Sequence, residues 1–239
     1  MNYNTEKFRQ GLANLKVELT EKQIEQFLNY YEMLIEKNKV MNLTAITEYD
    51  EVIEKHFLDS ISLCQVYDLS KPVTILDMGT GAGFPGIPLK IAFPEIEITL
   101  ADSLNKRINF LDEVIEALGL EKVTTVHARA EELARNKEHR EGYDVVVSRA
   151  VANLSTLGEY CIPFVKEGGC FISYKSGEIE EEVENAKKAI KILGGQIKDI
   201  YKFDLAEQKR SFVTIEKIKK TPKTYPRRAG TPSKMPLLK

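Results

Sequence analysis

No stretch of the 239 residues approaches the roughly 18 consecutive apolar residues of a membrane-spanning helix, which excludes a transmembrane reading. The first ten residues, Met1 to Gln10, are polar and include Glu6, Lys7 and Arg9. The apolar stretch of a secretory leader is missing there, so the expected location is the cytoplasm. Cysteine is scarce: Cys64, Cys161 and Cys170 are an odd count at long spacings, without a C-x-x-C pair. Neither a disulfide framework nor a metal site is expected, and the three read as small core residues. Internal repeats are also missing. What is present, 43% hydrophobic and 29% charged residues, is the balance of a globular protein and excludes disorder of the whole chain. The length allows one ordinary domain with an appendage, or one large domain.

Charge is nearly balanced overall but not along the chain. Acidic side chains are missing from Lys217 to Lys239, which holds eight Lys and Arg. The preceding 216 residues keep 26 of the 34 basic residues and all 36 acidic ones, a net of −10. An acidic body with a basic tail points to a polyanionic partner such as nucleic acid. The bland alternative is a solvated terminus. Pro222, Pro226, Pro232 and Pro236 deny this tail a helix and favour extended stretches.

Residues 1–65 read as a helical region. Thr20 and Gln23 form a capping box ahead of Ile24, Phe27, Leu28, Tyr31, Leu34 and Ile35, which share one helix face. That helix is expected to fail near Asn38. Another covers about Asp50 to Gln65. After Pro72, apolar runs alternate with amphipathic helices. Expected strands are Val73–Met78, Ile96–Ala101, Val123–His127, Tyr143–Ser148, Cys170–Tyr174, Ile197–Phe203 and Phe212–Ile218. Ser103 is expected to cap the helix after the second strand, and Gly194-Gly195 to stop a later one. The alternation predicts an α/β fold with a mainly parallel sheet covered by helices on both faces. The short connection from about Asp204 to Ser211 predicts a final hairpin. The chain thus divides into a helical region (1–65), a sheet domain (66–218) and a basic tail (219–239).

The strongest chemical signal is Asp77-Met78-Gly79-Thr80-Gly81-Ala82-Gly83-Phe84, following the first strand and opening a helix. Glycines at 79, 81 and 83 let backbone approach a ligand without Cβ interference. From Gly81 the string also satisfies the dinucleotide fingerprint, a weak pattern by itself. Asp77 at the strand end suits a cationic amino group better than a pyrophosphate, which argues for an aminoacyl-nucleoside. Asp102 ends the second strand, where an acid can bond ribose hydroxyls; helix capping is the alternative. Lys106 and Arg107 follow, to pair with Asp102 or with RNA phosphate. Ala130 and Glu131, after the third strand, stand where such folds border an adenine. The run Val145-Val146-Val147 delivers Arg149 to the carboxyl edge of the sheet, and a buried cation there needs an acidic partner, with Asp77 and Asp102 as candidates. Lys175 ends the fifth strand on the same edge. His56 and Asp59 share a helix face and read either as a catalytic dyad or as helix packing.

At these residues the chain resembles class I S-adenosylmethionine-dependent methyltransferases, and more closely the glucose-inhibited division protein B family, also called ribosomal RNA small subunit methyltransferase G. The resemblance is carried by Asn38 through Thr47, Lys55 through Ser60, the Gly79–Pro88 loop, Asp102 through Arg107, Arg129-Ala130-Glu131, Ser148-Arg149-Ala150 and Lys223 through Pro232. It implies a Rossmann-like, seven-stranded fold and methylation of N7 of guanine 527 in 16S rRNA, with S-adenosylmethionine held at Gly79, Phe84, Ala130, Glu131 and Arg149. N7 carries a lone pair and no proton, so the transfer needs no general base. The Asn/Asp-Pro-Pro-Tyr string of exocyclic amino methylation is missing; Ser148-Arg149-Ala150-Val151 stands in its place. A catalytic role is open for Arg149, Lys175 and His56. The partner implied is 16S rRNA or a small-subunit particle, met by a monomer. Two alternatives are a small-molecule methyltransferase and a non-catalytic RNA-binding assembly factor.

Overall fold

The computed structural model describes residues 3–149 and 152–237. Ala150, Val151 and the final Lys239 of the tail, all named in the sequence reading, lie outside the described residues.

Helix α1 (Glu6–Asn14) precedes α2 (Glu21–Met41). The capping box forms as expected: Gln23 N donates to Thr20 Oγ1, and Gln23 Oε1 accepts from Thr20 N at 2.9 Å. The helix runs past Asn38 to Met41 and stops at Asn42, whose φ of 49° is left-handed. Asn38 does not break it because its side chain is committed elsewhere. Its amide donates to Thr44 O and accepts from Thr44 N, both at 2.9 Å, clamping the following loop.

Residues 49–65 form one continuous rod of changing pitch: α3 (Tyr49–Val52), a π-helical turn (Ile53–Leu58), α4 (Asp59–Ile61) and a 3₁₀ turn (Ser62–Gln65). π-turns are rare and cluster at functional sites.

The sheet follows: β1 (Thr74–Met78), β2 (Glu97–Asp102), β3 (Val123–His127), β4 (Tyr143–Arg149), β5 (Val165–Ser176), β6 (Gly195–Leu205) and β7 (Gln208–Lys217). Its order is β3-β2-β1-β4-β5-β7-β6. The first five strands are mutually parallel, and β7 pairs antiparallel with both β5 and β6. The expected hairpin is present, turning at Ala206 and Glu207, both at positive φ. Strand β5 starts five residues earlier than expected. Its Lys166-Glu167-Gly168-Gly169 segment reads as a turn, yet Gly169 packs where a Cβ would come within 2.5 Å of Asp144 O.

Helices α5 (Gly86–Ala92), α6 (Asn105–Leu118), α7 (Ala130–Leu133), α8 (Leu154–Cys161), α9 (Glu180–Ile192) and α10 (Thr231–Lys234) complete the chain. Alternate strand residues serve opposite faces. Ile75, Val145, Val147 and Ile172 join one apolar core with α1, α2 and α6, while Leu76, Val146 and Phe171 join another with α8 and α9. Both faces being covered explains the unbroken apolar runs. The N-terminal helices share the core of the first face. Phe8, Phe27, Tyr30 and Leu34 are fully buried, each such side chain contributing roughly 1.5–3 kcal/mol. Tyr30 also donates to Ala82 O inside the glycine loop.

Candidate active site

The sheet order places β1 between β2 and β4, so connections leave β1 and β4 in opposite senses. That reversal opens a crevice at the carboxyl ends of the strands. There the structure has a cleft of about 530 Å³, lined among others by Gly79, Gly81, Phe84, Asp102, Glu131 and Arg149. This is the size of sites that enclose a small organic ligand.

The floor is the loop after β1. Gly79 N and Thr80 N donate to Ala101 O at 2.9 and 3.1 Å, tying it to β2. Gly81 sits at φ 63°, and a Cβ built there meets nothing within 4 Å, because it points into the cleft. Gly83 is different. At φ 106°, its Cβ would fall 2.7 Å from both Tyr30 Oη and Ile87 Cγ1. It is a packing glycine, outside the lining, and the ligand-approach role expected for it is corrected.

Asp77 also stands outside the lining. Its Oδ2 accepts from Thr80 Oγ1 at 2.6 Å and Gly86 N at 2.8 Å, closing the loop from below. Oδ1 has no partner among the described residues. Burial pushes this carboxyl up to about 7, against the pull of those two bonds and of Arg149. The expectation that Asp77 greets a cationic amino group is therefore corrected: the residue is sealed from the cleft by the loop it holds.

Asp102 closes the β2 side. Oδ2 accepts from Gly81 N at 3.0 Å, Oδ1 from Leu104 N at 2.9 Å, and Arg107 lies 3.2 Å away. Arg107 thus takes the ion-pair alternative. Helix α6 begins after Leu104 with no side-chain cap, so the cap expected of Ser103 is absent and Asp102 does part of that work. A carboxylate has about four acceptor sites, and those contacts leave room for a ligand hydroxyl. Beside β3, Ala130 and Glu131 line the cleft.

The β4 side is built on Arg149. Its NH1 donates to Lys55 O and Asp59 Oδ2, both at 2.9 Å, and its NH2 lies 3.2 Å from His56 Nδ1. Asp59 is shared with Arg210, bonded at 2.6 and 2.8 Å. The partner of the buried cation is thus Asp59 of the N-terminal rod, in place of Asp77 or Asp102. The guanidinium carbon lies 5.1 Å from the Phe84 ring centroid, and His56 stacks on Phe84 at 4.5 Å. Burial and the adjacent Arg149 charge lower His56 to about 3. A histidine so held is neutral and a poor base at physiological pH. His56 and Asp59 do not form a dyad; each meets Arg149. Lys175 bonds Ala152 O at 2.9 Å and Glu182 at 2.6 Å, outside the lining, which corrects its candidacy.

Sequence reasoning missed several wall residues, among them Thr44, Gly230 and Ser233. Thr44 is in the Asn38–Thr47 string and Gly230 in the tail string, so a signal existed, but not one that brought either to a cleft. The tail is not an extended arm. Arg140 donates to the carbonyls of Thr221, Pro222 and Tyr225. Arg227 clasps buried Glu159 with its backbone N–H and its guanidinium at 2.6–3.1 Å. Gly230 N donates to Glu131 Oε1 at 2.9 Å, and α10 forms despite Pro232, which occupies a permitted position in its first turn. Lys217 is buried against Ile162 O and Val165 O.

Among the described residues no three His, Cys, Asp or Glu converge as metal ligands, and no helix is long and apolar enough to cross a membrane. Cys161 and Cys170 are buried and Cys64 partly so, with thiols pushed up by burial, in keeping with packing roles.

A family model described as rRNA small subunit methyltransferase G matches residues 23–213. A protein of that name from Lachnoclostridium phytofermentans is 55% identical over 234 residues, covering 97% of each chain. One from Acetivibrio thermocellus is 53% identical over 230 residues, covering 95% of this chain and 94% of its own. Among solved structures, a SAM-dependent methyltransferase from Aquifex aeolicus superposes with a TM-score of 0.53 over 76% of this chain and 97% of its own, at 16% identity, a likeness of fold.

Proposed function

Because the chain belongs to the rRNA small subunit methyltransferase G family, we propose that it transfers a methyl group from S-adenosylmethionine to N7 of guanine 527 in 16S rRNA. The observation that carries this reading is the cleft itself: a glycine floor open at Gly81, with an acceptor carboxylate on one side and a neutral aromatic wall on the other. The residues fit the cofactor. Gly81 leaves the space that a Cβ would fill, and Asp102 has spare acceptor capacity. Gly79, Gly81, Phe84, Asp102, Ala130, Glu131 and Arg149 would hold it. When bound, it supplies an electrophilic methyl group on a sulfonium centre.

The chain's own task is then to bind, orient and exclude water. N7 needs no deprotonation, and His56, neutral with both ring nitrogens engaged, is not placed as a base. Phe84, backed by His56 and Tyr30, gives a rigid apolar wall. The enzyme acts as a cytoplasmic monomer on 16S rRNA or a small-subunit particle.

The test is primer extension after borohydride–aniline cleavage, on free 16S rRNA and on rRNA from small subunits, both treated with purified protein and S-adenosylmethionine. A single new stop at guanine 527 is expected. No stop in either, or a stop elsewhere, overturns the reading.

A further inference from the structure

The Thr44 hydroxyl lines the cleft with its hydrogen unclaimed by any described residue. Arg149 only donates, so His56 Nδ1, 3.2 Å from its NH2, accepts. Lys55 O, also 3.2 Å from Nδ1, is bonded by NH1 of the same guanidinium at 2.9 Å, so Arg149 engages both groups and its NH2 supplies the donor to Nδ1. The single hydrogen of the neutral ring is therefore on Nε2, which donates to Thr44 Oγ1 at 2.8 Å. Ile46 N donates to the same oxygen at 3.0 Å. Both lone pairs of the hydroxyl are filled. Its hydrogen has no acceptor among the described residues, and Thr44 lines the cleft.

The loop is held for this purpose. Asn38 clamps Thr44 front and back, and the π-turn carries His56 between Thr44, Phe84 and Arg149. The donor stands on the β4 side of the crevice. Asp102 and Glu131 stand on the β2 and β3 side, where the proposed reading seats the nucleoside half of the cofactor. The methyl acceptor then enters on the side of Thr44. Guanine shows O6, an acceptor, beside N7, whereas adenine shows an amino donor there.

We propose that Thr44, oriented by His56, donates a hydrogen bond to O6 of the acceptor base and so selects guanine. This rests on N7 methylation being the reaction. Thr44 is thereby a specificity-determining residue and His56 a positioning residue.

The experiment compares small subunits carrying guanosine, inosine or 2-aminopurine ribonucleoside at the target position. All three retain N7, and only 2-aminopurine lacks O6. For the native chain, kcat/KM is expected to hold with inosine and to fall about tenfold or more with 2-aminopurine. Thr44→Val should bring guanosine down to the 2-aminopurine rate, with an unchanged Kd for S-adenosylmethionine. Thr44→Ser should restore the preference. A preserved guanosine preference in Thr44→Val overturns the proposal, as does a matching loss of cofactor affinity, which would give the donor to the cofactor. A native chain that methylates no guanosine defeats the underlying reading instead, and is recognised by the first measurement alone.

Discussion

Asp77, beneath the glycine loop, and His56, in the cleft wall, are both largely buried, and they bias stability in opposite pH directions. Burial raises Asp77 to about 7 from an ordinary value near 3.8. In the folded chain it binds its proton more tightly than in the unfolded chain, so its contribution is complete below about 3.8 and lost as pH rises through about 7. His56, lowered to about 3, contributes above its ordinary 6.5 and loses that contribution as pH falls toward 3. Asp77→Asn keeps an acceptor for Thr80 and Gly86 and removes the titration. Thermal unfolding followed from pH 4 to pH 8 should show the variant gaining on the native chain as pH rises, by on the order of a few kcal/mol. Parallel curves would mean that Asp77 is not the titrating group. At this scale the sequence was half legible. That Arg149, after three valines, needs an acid follows from the cost of a buried charge. That the acid is Asp59, ninety residues earlier, does not, because only the packing of the N-terminal rod on β4 brings them to 2.9 Å.

Elements were easier to read than residues. The strands appear because buried runs of Val, Ile and Leu admit few other conformations, and the Thr20–Gln23 signature marks a helix start by local chemistry alone. Pitch was not legible: the π-turn over Ile53–Leu58 keeps the apolar spacing of an ordinary helix within a residue. Nor could the glycine loop be divided from its sequence, although its three glycines do different work. Gly81→Ala costs about 1–2 kcal/mol for the left-handed backbone and places a methyl in the cleft. Its expected signature is a folded protein with little or no binding of S-adenosylmethionine by calorimetry. Gly83→Ala meets Tyr30 and Ile87 at 2.7 Å. There the expected signature is a fall in melting temperature from overpacking of about 1–3 kcal/mol beyond the backbone term. Equal behaviour of the two variants would refute the division.

For the molecule as a whole, the imbalance between an acidic body and a basic tail is partly resolved within the chain. Glu159, Glu141 and Glu131 receive Arg227, Thr221 N and Gly230 N. A charge count cannot distinguish this from RNA binding, since both need cations near anions. The fold assigns the cations to two groups. Arg227 is spent on buried Glu159, and Lys217 is inside the protein, while Lys219, Lys220, Lys223, Arg228 and Lys234 face solvent. Removal of residues 221–239 should therefore lower cofactor affinity, because Gly230 and Ser233 wall the cleft, where an independent RNA arm would leave it intact. Arg227→Ala alone leaves buried Glu159 with the backbone N–H of residue 227 but without its countercharge, at a cost of up to about 3–5 kcal/mol. Lys223, Arg228 and Lys234, the three of these beyond residue 220, are left to follow a phosphate backbone. Their joint replacement by alanine should keep melting temperature and cofactor affinity. It should flatten the dependence of log K for RNA on log salt by up to about 2, at about 0.7 per contact on single-stranded RNA. An unchanged slope in that triple variant would remove residues 221–239 from the RNA surface and leave them as a strap over the cofactor cleft.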